Sequence, residues 1–141
     1  MKRIFLVYLS IITSIIACSQ LPEDSLQYVK GYWEIAEVTF ADGSTKEFSM
    51  SQNIDFFDIQ DNLTGVRKKV QPDINGQFTT SKNIENIDVE IDGDILRLRY
   101  TTAYDTWKET VLTVNQKQLV LQNNNGNTYT YRRYQPLIIE E

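Results

Sequence analysis

Hydrophobic and polar positions follow two different patterns along this chain, and the change falls near residue 30. The start holds the apolar run Ile4-Phe5-Leu6-Val7-Tyr8-Leu9 and then Ser10-Ile11-Ile12-Thr13-Ser14-Ile15-Ile16. From Tyr32 onward, apolar and polar residues alternate in short stretches closed by turn residues. A period of two marks strands with one buried face. It predicts strands over 32–40, 45–50, 53–60, 65–71, 76–81, 84–92, 95–103, 106–114, 118–123 and 127–134. Between them lie Asp42-Gly43, Asn75-Gly76, Asp92-Gly93 and Asn125-Gly126. Such pairs supply the positive-φ residues that two-residue hairpin turns need. The expected fold class is all-β, a single up-and-down antiparallel meander over residues 29–135.

Some registers can be written down directly. With Asp92-Gly93 as the loop, Val89 faces Leu96, Ile87 faces Leu98, and Asp88 lies opposite Arg97. A turn at Gln116-Lys117 sets Val114 against Leu119 and Leu112 against Leu121. Other strands leave alternatives. Ile54 and Phe56 oppose Phe57 and Ile59, while Trp33 and Ile35 oppose Ala36, Val38 and Phe40. A bulge or a strand buried on both faces accounts for either switch. The last strand points inward either Tyr129, Tyr131 and Arg133 or Thr128, Thr130 and Arg132.

The N-terminal run is too short for the ~20 residues that span a bilayer and suits a signal sequence. Lys2 and Arg3 precede it, and Ile15-Ile16-Ala17-Cys18 ends it. This stretch resembles a bacterial lipoprotein signal. The resemblance implies cleavage after residue 17 and a mature N-terminal Cys18 carrying a diacylglycerol and an amide-linked fatty acid. Three acyl chains would hold the protein on a membrane, where one binds only marginally. Ser19, in place of the aspartate that signals inner-membrane retention, favours the outer membrane, at its periplasmic face or the cell surface. Residues 18–28 are polar, hold Pro22 and lack hydrophobic periodicity, so a flexible tether is expected there, with a tail over 136–141.

Composition narrows the chemistry. The chain holds 14 Lys and Arg against 19 Asp and Glu, a formal charge of −5. Loss of residues 1–17 removes two bases and no acids, which gives −7. An acidic domain is a poor partner for a phosphate backbone, so no nucleic acid is expected. The 141 residues include no histidine and one cysteine. That excludes Ser-His-Asp and Cys-His catalysis, a histidine metal site and any disulfide once Cys18 is acylated. Asp55, Asp58 and Asp61 recur every third residue, but a calcium loop alternates its acids and closes on glycine. No catalytic residue, metal or cofactor is expected, and an enzyme is not. Arg67-Lys68-Lys69, the one basic run, reads as a solvated edge strand protected by charge.

Gly31-Tyr32-Trp33 opens the first strand, and Thr128-Tyr129-Thr130-Tyr131-Arg132-Arg133 forms the last. Together these ends resemble small bacterial lipocalin-like lipoproteins. The resemblance implies a small closed barrel, with Trp33 at its floor under Arg132 or Arg133 and Gly31 opening the strand. The chain lacks the family's usual cysteines and C-terminal helix. Two functions are expected. One is a binding module for a small hydrophobic or amphipathic ligand, lined by Tyr100, Trp107, Tyr129 and Tyr131. Those aromatics would serve equally as ordinary core. The other is an accessory or scaffold subunit of an outer-membrane protein complex, with a filled barrel and a working outer surface.

Overall fold

The computed structural model describes residues 22–136. The signal stretch, Cys18, the first part of the expected tether and the tail beyond Pro136 lie outside the described residues.

One antiparallel sheet contains β1 (Gly31–Thr39), β2 (Thr45–Glu47), β3 (Ile54–Ile59), β4 (Thr64–Pro72), β5 (Phe78–Asp92), β6 (Ile95–Thr101), β7 (Thr106–Val114), β8 (Gln118–Asn123) and β9 (Thr128–Arg133). From β3 to β9 each strand pairs with the next, β1 pairs with β3, and a β1–β9 ladder closes the ring. Eight strands make the wall, and closure removes the unpaired edges that an open sheet would present. The exposed β2 pairs only with Glu37–Thr39 of β1 and stands outside the ring.

Two expected strands, 76–81 and 84–92, are a single strand, β5. Between the pairs Lys68–Ile84 and Val70–Thr80 the chain takes up its extra residues as a bulge instead of turning. The hairpin register is also shifted. Its loop is Gly93-Asp94, so Val89 pairs with Leu98, Ile91 with Leu96 and Asp88 with Arg99. The faces are unchanged because the slip is by an even number. Val114 does pair with Leu119, but a bulge then expels Leu112 and places Val111 opposite Leu121.

The glycine pairs do not form two-residue loops at 40–44, 73–77 or 123–127. Each of these closes with the glycine N–H donating to the carbonyl three residues earlier, and the glycine has positive φ. That is a type I turn followed by a left-handed residue. The loop at 60–64 repeats the pattern with Leu63 at φ 64°. A leucine is strained there, but its side chain packs on the core. Leu63→Gly should be near neutral, since relief of strain offsets lost burial. Leu63→Val should unfold at lower temperature than either, because a branched Cβ suits positive φ worst. Thermal melts of the three proteins check the order.

Residues 22–28 correct the tether expectation. Pro22–Val29 form a helix, α1. Proline at the first helical position, with Glu23 and Asp24 in the first turn, favours helix initiation. So short a helix depends on docking. Val29 is fully buried in the barrel core and Leu26 packs against it. With only these few apolar positions, the periodicity is too brief to read from the chain.

The two open choices resolve differently. In β1 a bulge at Ala36 turns both Ile35 and Val38 toward β9's Tyr131 and Tyr129. In β3 the register is unbroken and both faces are covered: Phe57 joins the core, while Ile54 is buried on the outer side. Its cover comes from the β4–β5 hairpin. Phe78 at the hairpin end stacks on Tyr32 of β1 at 4.6 Å, Tyr32 meets Phe56 at 4.6 Å, and Tyr134 meets Phe78 edge-on at 5.8 Å. Since β3 lies between β1 and β4, the hairpin end must lean over the outside of the wall.

Candidate functional site

The barrel has two unlike ends. At one, α1 lies against the turns at 60–63, 93–94 and 115–117; at the other stand the loops at 40–44, 102–105 and 124–127, while the hairpin end at 73–77 lies outside the wall beside Tyr134. We call the two ends the floor and the mouth.

The floor brings together three of the residues that the lipocalin resemblance singled out. Trp33 is fully buried, its indole N–H donates to the Val29 carbonyl at 2.7 Å, and the Arg133 guanidinium lies 3.7 Å from its ring centroid. Arg133 also donates to the carbonyls of Gln116, Lys30 and Tyr28, so it ties the end of α1 to the wall. Partial burial lowers its pKa without threatening its charge. Gly31 has φ 121°, and a Cβ there would sit 2.7 Å from an Arg133 nitrogen. Gly31→Ala should therefore destabilise the domain by about 1–3 kcal/mol through backbone strain and displacement of Arg133, read by chemical denaturation. Arg132 does not join them. It points outward to Glu34 at 2.9 Å and to the Phe48 and Ser49 carbonyls.

Above the floor the interior is packed solid. Trp33, Phe57, Leu98, Tyr100, Leu119 and Leu121 expose no surface, so no void large enough for water touches them. Toward the mouth the chemistry changes. Arg67 is buried, with its guanidinium 4.2 Å from the Tyr100 ring centroid, 5.8 Å from Phe57 and 6.0 Å from Trp107. It donates to Glu85 and, at 3.3 Å, to Glu109. Beside it the buried Asp55 accepts from the half-exposed Lys69 at 2.8 Å. The Tyr100 hydroxyl is buried without a hydrogen-bond partner of normal geometry.

Burial shapes the electrostatics of this cluster. It pushes the Glu109 carboxyl up, opposed by the Arg67 charge. It pushes the Tyr100 and Tyr131 hydroxyls well up. Burial also works against the Arg67 charge, but Tyr100, the hydrogen bond to Glu85 and the Glu109 charge raise it on balance. The cluster holds a permanent cation among aromatic faces, beside a carboxyl, Glu109, whose burial disfavours its charged form.

All four expected lining residues point into the barrel. Tyr100 stacks on Trp107 at 5.2 Å, and Tyr131 is buried. Tyr129 and Trp107 are half-buried nearer the mouth, where the Tyr129 hydroxyl accepts from Asn123 at 3.3 Å. Two adjoining grooves lie elsewhere, on the outside of the wall. One of about 590 Å³ and one of about 370 Å³ share Met50, Ser51, Pro72 and Tyr134.

Arg67, Glu85, Glu109 and Asp55 were not among the expected site residues. Three of them left a signal. Glu109 alternates with Trp107 and Val111, Glu85 with Ile87 and Val89, and Asp55 with Phe57 and Ile59, so each acid sits in an apolar register. Arg67 was hidden by Val66 and Val70, whose face looked like the core side. That outer face is partly covered by the leaning hairpin, and Val70 is buried there. The basic run is accordingly no solvated edge: Arg67 is interior, and β4 is paired on both sides.

A family model described as a lipocalin-like domain matches residues 29–121. A solved lipocalin-like protein from Bacteroides uniformis is similar at 13% identity, covering 74% of this chain and 97% of that one, with a TM-score of 0.48. An uncharacterized protein from Bacteroides eggerthii is similar at 13% identity over 74% of this chain and 98% of its own, with a TM-score of 0.47. No curated protein matches in sequence.

Proposed function

The chain belongs to the lipocalin-like domain family, and on that premise we propose that it is a lipid-anchored, non-enzymatic binding module of the cell envelope that takes a small amphipathic molecule at the mouth of its barrel. The observation that carries this reading is the cluster around Arg67. Burying an ion network rarely adds stability over apolar packing, so its presence in a barrel that is otherwise well packed calls for another use. A ligand entering from the mouth would meet flat faces at Trp107 and Tyr129 and a polar system at Glu85, Lys69 and Arg67. A few polar groups set in an aromatic wall are the ordinary make-up of a small-molecule site. The solid layer beneath limits the ligand to a small one or to a short insertion.

The membrane partner is the bilayer itself, through acylated Cys18, and the location is the outer membrane. Both rest on the lipoprotein-like signal and on Ser19.

Native mass spectrometry of the Cys18→Ser domain, made without residues 1–17 and extracted gently, tests the ligand. A retained adduct that Trp107→Ala and Arg67→Met abolish is expected. A bare polypeptide mass, with no rise in melting temperature on adding laurate as an amphipathic probe, would sink the reading.

A second reading, an accessory subunit docked by its outer surface, is favoured by the external grooves, where Met50 and Ile74 are 69% and 88% exposed. Crosslinking in cells that recovers only monomer would remove it.

A further inference from the structure

The geometry points to a fixed orientation on the membrane: we propose that the floor of the barrel faces the bilayer and the mouth is held away from it. This rests on the lipid-anchor reading above.

The sequence pattern suggested a tether of some ten residues, which would let the barrel turn freely. Docking of α1 removes most of that length. Pro22 lies against the floor, in a cleft shared with Asp94, Leu96 and Val114, and Leu26 and Val29 hold the helix to the core. Arg133 clamps its far end through the Tyr28 and Lys30 carbonyls. From Cys18 to Pro22 the chain crosses four Cα–Cα steps, which reach at most about 14 Å. The floor must therefore stay within that distance of the lipid glycerol. A wall strand such as β6, with 7 residues, runs roughly 20 Å and less along the tilted barrel axis. While the helix stays docked, the anchor draws the floor to the bilayer, and turning the mouth down to it would stretch the link from Cys18 to Pro22 to about its full reach.

The two rims differ in a way that suits this placement. Floor turns offer Gln60-Asp61-Asn62, Gly93-Asp94 and Asn115-Gln116-Lys117, all polar and fit for a hydrated interface. Tyr104, exposed to 98%, and Phe40, to 40%, stand at the mouth, while Ile95 and Leu112 are exposed on the outer wall near the floor turns. A mouth turned outward is free to receive an amphipathic ligand or a partner, whereas turned inward it would bury in lipid.

The test uses the full acylated chain in phosphatidylcholine vesicles carrying a headgroup spin-label. Because Cys18 is occupied by lipid, Asp94→Cys at the floor and Tyr104→Cys at the mouth each give one site for a bimane fluorophore. Quenching at position 94 should exceed that at 104 by at least about threefold. A flexible Gly-Ser insert between Leu21 and Pro22 should erase most of the difference. Equal or reversed quenching in acylated protein would overturn the orientation alone. An N-terminal peptide lacking acyl mass would overturn the anchor and the orientation together.

Discussion

Arg67→Ala should destabilise the domain by about 3–5 kcal/mol, the usual result of removing one partner from a buried ion network. Arg67 is buried with Glu85 and Glu109 as its acceptors, so its loss strands two carboxylates in the barrel. For a domain of this size that is a fall of roughly 10–20 °C in melting temperature. The informative comparison is the triple variant Arg67→Met, Glu85→Gln, Glu109→Gln, which removes the charges and keeps the volume. Its stability should return close to that of the parent, because the desolvation cost disappears with the ions. If ligand retention is lost while stability returns, the cluster serves recognition. If the triple variant is as unstable as Arg67→Ala, the network is structural and the binding proposal loses its main support.

The same cluster sets a pH dependence. Burial raises the Glu109 pKa in the folded domain, so the folded state holds that proton more readily than the unfolded chain. The associated stability is fully present below the ordinary carboxylate range and is lost as pH rises through the folded value. Glu109→Gln should flatten this decline. Urea titrations of both proteins from mildly acidic to neutral pH would detect it, and parallel curves would show that another group is responsible.

Much of the wall could be read from period-two alternation. β7, β8 and the paired faces of β5 and β6 fall where the pattern puts them, because each has one apolar face and a polar one. Three kinds of feature escaped. Bulges opposite Lys69, at Ala36 and at Leu112 change a register by local geometry that no residue type announces. The leaning hairpin gives β3 and β4 a second buried face, which inverts the apparent polarity of Arg67 and Val70. Finally, α1 draws its stability from the floor and has little of its own. The floor site was legible through Gly31, Trp33 and the terminal arginines because it depends on rare residue types at the two chain ends. The ion cluster was not, because Arg67 and Glu85 meet only through the unexpected register of β4 and β5, and only the curvature of the barrel brings Glu109 of β7 to Arg67.

That floor gives the second large effect. Trp33→Ala should cost about 3–5 kcal/mol, the range for deleting a fully buried large aromatic side chain. Trp33→Phe isolates one component. The ring is kept for Arg133, but the indole N–H that meets the Val29 carbonyl at 2.7 Å is gone, leaving a buried acceptor unpaired at about 1–3 kcal/mol. Arg133→Met removes the guanidinium, and its three carbonyl acceptors are lost together. Two of these belong to the end of α1, where helix carbonyls otherwise lack partners. The variant should therefore loosen the helix before it loosens the barrel. Hydrogen exchange would show this as faster exchange over residues 22–29 with β6 and β8 still protected. A double-mutant cycle between Trp33→Phe and Arg133→Met should give a small coupling, since a phenyl ring still attracts the cation, whereas Trp33→Leu against Arg133→Met should give about 0.5–2 kcal/mol. If neither cycle shows coupling and the helix stays protected in Arg133→Met, the guanidinium is a passive cover. The clamp on α1, and with it the short tether, would then have to be explained by Val29 and Leu26 alone.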